Sequence, residues 1–130
     1  EMVEPNMTGV KSMLNHLRQG GVVVIASDQV PNLEGGILSK FFSTPALTMT
    51  LVSRLRLKTG APCHSVYCLR KPEGKGFEVV YNQEVEGMDL DVQSSVDRMN
   101  EELEKCIMIA PEQYAWEYKR YKHSGLKDIY

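Results

Sequence analysis

The polar residues with the clearest chemical potential are Asp28 and Gln29, which directly follow the apolar run of residues 22–26. In open α/β sheets, ligands bind outside the carboxyl ends of the strands. A polar pair at that position, followed by a loop that carries Gly35 and Gly36, is placed to meet a substrate. The alternative is that both side chains only hydrogen-bond the backbone of their own loop. Position alone leaves both interpretations open.

Two adjacent aromatic residues, Phe41 and Phe42, lie at the end of that loop. Adjacent side chains cannot both face one core unless the chain turns sharply between them. One interpretation is that one ring lines a groove for an apolar ligand. The other is that both rings are buried under the element that follows.

A histidine–carboxylate pair would supply a general base, and His123 and Asp128 fit the spacing His-x4-Asp. With three histidines and 17 acidic residues in the chain, such a short match arises easily by chance. It also lies in a tail without a core pattern to hold it rigid. We therefore predict that this match is accidental. The three cysteines have no CxxC spacing, which argues against a zinc site and a disulfide framework.

The elements that position these residues can be predicted from periodicity. Residues 7–18 have the apolar spacing of an amphipathic helix, and residues 22–26 form a β-branched run typical of a strand buried in a parallel sheet. Thr44 and Pro45 are good helix-start residues and predict a helix that runs to Lys58. Residues 64–69 read as a second strand. Strand, helix and strand together predict a right-handed βαβ unit.

The second half of the chain predicts an antiparallel edge strand over residues 77–81, a long helix after Asp91, and a short last helix over residues 112–122. Trp116 and Arg120 would share one face of that last helix. Trp116 would then dock the helix on the domain, and Arg120 would reach a carboxylate or a lipid phosphate. The predicted fold class is α/β, with a three-layer-like βαβ core, a mostly parallel sheet, an antiparallel edge strand and C-terminal helices.

The bulk properties indicate a soluble protein. A chain of 130 residues fits one domain with one core. The net charge of −2 argues against nucleic-acid binding, which normally needs a strongly basic surface. The longest apolar run, residues 22–26, is far shorter than the roughly 20 residues that cross a bilayer.

The motifs taken together resemble a known family, the lipid A late acyltransferases. Residues 17–29 are similar to its block of leucine, glycine, an apolar run and Asp-Gln. Residues 35–37 and 41–46 resemble its Gly-Gly and Phe-Phe-Gly-x-Pro-Ala segments, although Ser43 stands at the usual glycine. Residues 60–62 match its approach to a strand, and residues 110–122 resemble its Pro-Glu-Gln-Tyr-x-Trp ending. Order and spacing agree from about residue 7 to residue 122.

The resemblance implies a partial glycerolipid-acyltransferase-type fold and an enzyme that moves a fatty acyl chain from acyl carrier protein, or coenzyme A, to a hydroxyl of a lipid A precursor. It implies no metal and no bound organic cofactor. Members of the family lie at the inner membrane of Gram-negative bacteria and face the cytoplasm, and many are anchored by an N-terminal transmembrane helix. Their base is the histidine of a His-x4-Asp/Glu motif upstream of the Asp-Gln block. No such motif precedes Asp28 here.

We therefore interpret residues 1–130 as one domain, the C-terminal part of a larger acyltransferase whose N-terminal catalytic part and membrane contact lie outside this chain. The chain alone is expected to be inactive, and its own catalytic residue stays unknown. Acyl transfer needs an apolar tunnel with polar groups at its mouth. Its expected walls are Phe41, Phe42, Leu33 and Leu38; its expected polar contacts are Asp28, Gln29, the Gly35–Gly36 backbone and Arg120. The alternative is a non-catalytic module of the same fold that binds a lipid or a partner protein.

Overall fold

The computed structural model describes residue 2 and residues 6–125, and within them the chain forms helices and short strands. In chain order these are α1 (Met7–Arg18), β1 (Gly36–Phe41), β2 (Thr44–Met49), α2 (Leu51–Thr59), β3 (His64–Arg70), β4 (Phe77–Glu84) and α3 (Val92–Ile109). Short 3-10 turns lie at Leu33–Gly35, Pro72–Gly74 and Pro111–Gln113.

The strands form two separate antiparallel pairs, β1 with β2 and β3 with β4. The α/β class is therefore confirmed, but the prediction of a mostly parallel sheet is wrong. One cause is the misassignment of residues 44–49, where Thr44 and Pro45 carry helix-start chemistry. The structure pairs Thr44 with Phe41 and Leu47 with Leu38. Pairing with β1 and burial of Ala46 and Leu47 override the local capping signal.

The second cause is the segment formed by residues 22–26, which was predicted as a strand buried in a parallel sheet. Its backbone pairs with no strand among the described residues. Val22 is 80% exposed and Val24 is 81% exposed. The β-branched run has the composition of a buried strand, but the described part of the chain places no partner strand beside it.

The predicted helices α1 and α3 are confirmed, and so are strand β3 and the antiparallel strand within β4. Asn6 caps α1 because its side chain accepts a hydrogen bond from the Gly9 amide at 2.9 Å. Asp91 caps α3 in the same way, with the Ser94 amide at 3.0 Å. The predicted last helix over residues 112–122 is wrong. The extended backbone of Tyr114 (φ −81°, ψ 146°) ends the 3-10 turn, and from there to residue 125 the chain forms only turns and bends.

The core lies between α3 and the β1–β2 hairpin, and its centre is formed by Phe41, Ala46 and Ile107. A buried polar residue of α3, Asn100, ties the two layers together. Its side-chain amide donates to the Ser39 hydroxyl at 3.0 Å, to the Lys40 carbonyl at 3.0 Å and to the Thr48 hydroxyl at 3.1 Å. Because these groups are satisfied, the polar cluster fixes the position of α3 over the hairpin.

Candidate functional site

Arg120 lies inside the molecule, only 2% exposed. Its Nη1 donates to the Leu47 carbonyl at 2.7 Å, its Nη2 donates to the Thr48 hydroxyl at 2.7 Å, and its guanidinium lies 5.0 Å from the centre of the Phe41 ring. The helix predicted to carry Arg120 is absent, because residues 114–124 wrap over β2 instead, and this wrap directs the guanidinium to Leu47 and Thr48. Burial lowers the pKa of Arg120, but an arginine keeps its charge in proteins.

Asp28 lies beside this C-terminal wrap and acts electrostatically on Tyr114. The pKa of the Tyr114 hydroxyl is raised to about 12, first by burial and then by the negative charge of Asp28. No described group accepts a hydrogen bond from that hydroxyl in good geometry, although Asp28 is close enough to act on its ionisation. Two residues after Asp28, the Val30 amide donates to the Tyr118 hydroxyl at 2.8 Å. The Asp-Gln block and the C-terminal motif therefore meet in space.

The other loop residues of the predicted site have mainly local roles. Gln29 is exposed, and its amide donates to the Ala26 carbonyl at 3.4 Å. The Gly35 carbonyl accepts from the Thr50 amide at 3.0 Å and from its hydroxyl at 3.2 Å. A Cβ on Gly36 would lie 2.6 Å from Pro31 Cγ and 2.9 Å from the Thr48 carbonyl oxygen. The two glycines therefore allow the loop to pack tightly against β2.

Phe41 and Phe42 occupy different environments, because Phe41 ends β1 and Phe42 is the first residue of the sharp turn to β2. Phe41 is 1% exposed in the core, and Phe42 packs edge-on against it with ring centres 4.9 Å apart. Phe42 also contacts Trp116 at 5.7 Å, and Trp116 is 52% exposed, so the predicted docking buries only part of that ring. Phe42 and Ser43 have positive φ angles of 47° and 65°. An aromatic residue in this left-handed region is strained.

An apolar groove of about 620 Å³ lies between segment 22–26 and strand β3. One side is formed by residues 22–28, the other by residues 61–69, and one face of α3 forms part of the lining. Asp28 and Tyr114 also line it. The two phenylalanines, Leu33 and Leu38 do not contribute to its walls. The four residues expected to wall an acyl tunnel thus lie away from this groove.

None of the histidines at positions 16, 64 and 123 forms an ion pair with a carboxylate in the described part of the chain. The His64 ring lies 3.2 Å from the Asn82 carbonyl oxygen. Asp128, the acid of the His-x4-Asp match with His123, lies outside the described residues. Residue 2 and residues 6–125 contain no cluster of three potential metal ligands and no helix long and apolar enough to cross a membrane.

Comparison with known proteins identifies the chain's relatives. The family model for bacterial lipid A biosynthesis acyltransferases matches residues 1–123. The chain belongs to this family. It is 32% identical over 117 residues to a lipid A biosynthesis palmitoleoyltransferase of Escherichia coli K12, covering 87% of this chain and 37% of that protein.

Two further relatives agree with this assignment. A lipid A biosynthesis lauroyltransferase of Escherichia coli K12 is 33% identical over 115 residues, which cover 87% of the chain and 38% of that protein. A lipid A biosynthesis acyltransferase of Haemophilus influenzae is 27% identical over 108 residues, which cover 83% of the chain and 34% of that protein. The chain thus spans little more than a third of the length of the relatives it matches.

The sequence alone did not assign a role to Tyr114, Tyr118 or Gln113, which the structure places around Asp28 and the groove. Their only signal was membership of the Pro-Glu-Gln-Tyr-x-Trp pattern. The structure gives this pattern a physical basis, since its residues contact segments far away in sequence.

Proposed function

We propose that this chain forms one part of an acyltransferase that moves a fatty acyl chain from acyl carrier protein, or coenzyme A, to a hydroxyl of a lipid A precursor at the cytoplasmic face of the inner membrane. The observation that carries the proposal is the meeting of Asp28 with the C-terminal motif in a chain of the lipid A acyltransferase family. The names of the relatives support the reaction class.

In this proposal Asp28 and Gln29 contact the polar part of a substrate. The carboxylate of Asp28 accepts hydrogen bonds, and the Gln29 amide can donate and accept them. Gln29 is exposed and Asp28 is half-buried beside Tyr114, so both lie near the protein surface. Tyr114 stays protonated at neutral pH because its pKa is about 12, and it offers a neutral donor next to Asp28.

In this proposal the remaining predicted site residues stabilise the loop from the protein interior. Arg120 and Phe41 are buried, and the Gly35 carbonyl is engaged by Thr50. We propose that they position the loop that carries Asp28 and do not touch the substrate. The general base, which typically contributes about 10²–10⁴-fold to the rate, would come from a part of the enzyme outside the described residues.

A chimaera tests the proposal. The matching portion of the Escherichia coli lauroyltransferase is replaced by this chain, and acyl transfer from acyl carrier protein thioester to a lipid A precursor is measured. We expect turnover, and we expect Asp28→Asn to reduce it substantially while the melting temperature changes little. His123→Ala is the matched control and should keep full turnover. A folded chimaera without any acyl transfer would contradict the proposed reaction.

The alternative function is a non-catalytic module that binds a lipid or partner protein. It is favoured only by the lack of a histidine–carboxylate ion pair among the described residues. The chimaera separates the two functions, since the alternative predicts precursor binding with no turnover.

A further inference from the structure

We propose that the groove between segment 22–26 and β3 is the binding site of a single β-strand, supplied by the part of the family polypeptide that this chain does not match. The strand would join segment 22–26 and β3 into one sheet. This inference rests on the groove's geometry and on family membership. It is independent of whether the enzyme transfers an acyl chain.

The walls of the groove, the unpaired segment 22–26 and strand β3, present backbone edges to it and not the face of a strand. A strand that turns one face to a cavity contributes every second residue, because successive side chains point to opposite sides. Here all of residues 22–28 and all of residues 61–69 line the groove. Consecutive lining residues are expected when the backbone edge itself faces the cavity. Between residues 22 and 26, the described chain shows one backbone hydrogen bond, accepted by the Ala26 carbonyl from Gln29.

The outer edge of β3 can be assigned from a single side chain. Gln113 accepts a hydrogen bond from the Arg70 amide at 2.7 Å and donates to the Arg70 carbonyl at 3.3 Å. Its amide thus occupies the position that a neighbouring strand would take at Arg70. In an antiparallel strand, alternate residues direct their N–H and C=O groups to the same edge. Val66 and Cys68 therefore share this outer edge, on the side opposite β4.

The floor of the groove is one face of α3. Its lining residues Met99, Leu103, Cys106 and Ile107 recur at three- and four-residue spacing. A helix that covers a sheet presents such a stripe to it. The backbone of segment 22–26 and the edge of β3 lie above one helix stripe. This is the layout of a sheet from which a central strand is missing.

The chemistry of the walls favours a strand over an acyl chain as the occupant. Backbone N–H and C=O groups removed from water need hydrogen-bond partners. An alkyl chain would cover these groups without satisfying any of them, whereas a strand satisfies both edges at once. The relatives' length supplies a source for this strand, because the match covers only 37% of the palmitoleoyltransferase.

Hydrogen–deuterium exchange, resolved by residue, tests the inference on two proteins. The first is this chain alone; the second is the chain fused to the portion of the Escherichia coli palmitoleoyltransferase that it does not match. In the chain alone, amides 22–26, Val66 and Cys68 should exchange within about tenfold of the rate of an unfolded peptide. Tyr67 and Leu69, which face β4, should be protected. In the fusion, Val66, Cys68 and alternate amides of segment 22–26 should gain about 100-fold or more in protection.

Two results would overturn the inference. One is a folded fusion in which Val66 and Cys68 still exchange freely. The other is protection of these amides in the chain alone that rises with protein concentration and accompanies a dimer by light scattering, since a second copy would then occupy the groove. Addition of palmitate-containing detergent micelles to the chain alone should leave Val66 and Cys68 unprotected; protection by the micelles would assign the groove to an acyl chain.

Discussion

Two regions of this molecule contain similar apolar sequences but bury them very differently. In the hairpin region, formed by β1, β2 and the C-terminal half of α3, Phe41 and Ala46 are almost fully buried. In the open region, formed by segment 22–26 with β3 and β4, Phe77 is 67% exposed and Tyr81 is 76% exposed. The difference shows that an apolar run becomes buried only where another part of the chain packs against it.

Substitution of Arg120, which contacts the hairpin region, should reduce the stability of the protein most. Arg120→Met removes the charge, leaves the Leu47 carbonyl without its side-chain donor, and leaves the Thr48 hydroxyl with Asn100 as its donor. We expect a loss of about 3–5 kcal/mol, because two hydrogen bonds from a charged group are lost and each contributes roughly 1.5–3 kcal/mol. Urea unfolding followed by circular dichroism measures it.

Lys122→Met is the matched control, because Lys122 is an exposed cation in the same segment. It should change the unfolding free energy by less than about 0.5 kcal/mol. Arg120→Lys tests the geometry, since a lysine lacks the fork that reaches two acceptors. Equal stability of Arg120→Lys and the parent would contradict the assigned contacts.

Trp116 lies at the border of the hairpin region and should have an intermediate effect. Its ring contacts Phe42 and Tyr114, and its Nε1 donates to the Pro111 carbonyl at 2.7 Å. Because about half of the side chain is exposed, Trp116→Ala should destabilise by about 1–2 kcal/mol, less than the roughly 3–5 kcal/mol of a buried tryptophan. Thermal unfolding checks this, and a loss as large as that of Arg120→Met would show that the ring is buried in solution.

The turn of the hairpin region offers a stabilising change. Ser43 has φ 65°, a conformation that costs an L-residue about 1–2 kcal/mol and glycine little. Glycine loses more entropy on folding, so the net gain from Ser43→Gly should be about 0.5–1 kcal/mol. Ser43→Val, with a branched side chain at the same φ, should destabilise. A lower urea midpoint for Ser43→Gly than for the parent would exclude the left-handed turn.

The contact between the two motifs should be visible in the titration of Tyr114. Its folded pKa of about 12 lies above the ordinary value of 10.0, so between these values the unfolded state has lost a proton that the native state keeps. Tyr114 therefore contributes stability that is fully present below pH 10 and is lost as pH rises toward 12. Asp28→Asn should lower the pKa of Tyr114. Tyrosinate absorbance of the parent, Asp28→Asn and Tyr114→Phe measures this, since Tyr114→Phe identifies the step that belongs to Tyr114. If that step has the same pKa in Asp28→Asn as in the parent, Asp28 does not act on Tyr114.

Removal of apolar surface from the open region should change the stability of the protein very little. Val79 is 55% exposed, so Val79→Thr should change stability by less than about 0.5 kcal/mol. Val96, fully buried on α3, gives the matched comparison, and Val96→Thr should cost about 1–3 kcal/mol because it buries a hydroxyl. Chemical unfolding of both variants side by side decides whether the two regions differ in solution as they do in the structure.

The sequence predicted those elements that depend on local chemistry. The apolar spacing of residues 7–18 placed α1, Asp91 as a cap placed α3, and the alternation at residues 77–81 identified β4. Residues 44–49 were mispredicted because the pairing with β1 is a tertiary effect that a capping pattern does not report. The helix predicted over residues 112–122 is absent for the same reason, since Arg120 forms a tertiary hydrogen bond with the Leu47 carbonyl.

The candidate site was predictable only in part. Asp28 was identified because a polar residue follows an apolar run. Its neighbour Tyr114 could not be paired with it from spacing, because nothing local relates two residues so far apart in the chain. Arg120 was predicted to reach a carboxylate or a lipid phosphate from a helix. That helix is absent, and Arg120 donates to the Leu47 carbonyl and the Thr48 hydroxyl instead.

The C-terminal wrap also has a consequence for how the chain folds. Its contacts join residues that are 73 apart (Arg120 with Leu47), 80 apart (Tyr121 with Phe41) and 88 apart (Tyr118 with Val30). Closing such large loops costs entropy before any contact forms, and chains rich in long-range contacts fold slowly. The hairpin and α3 can form first from nearer contacts, whereas residues 114–124 close over them late. We therefore expect closure of residues 114–124 over the hairpin and α3 to be the slow step of folding.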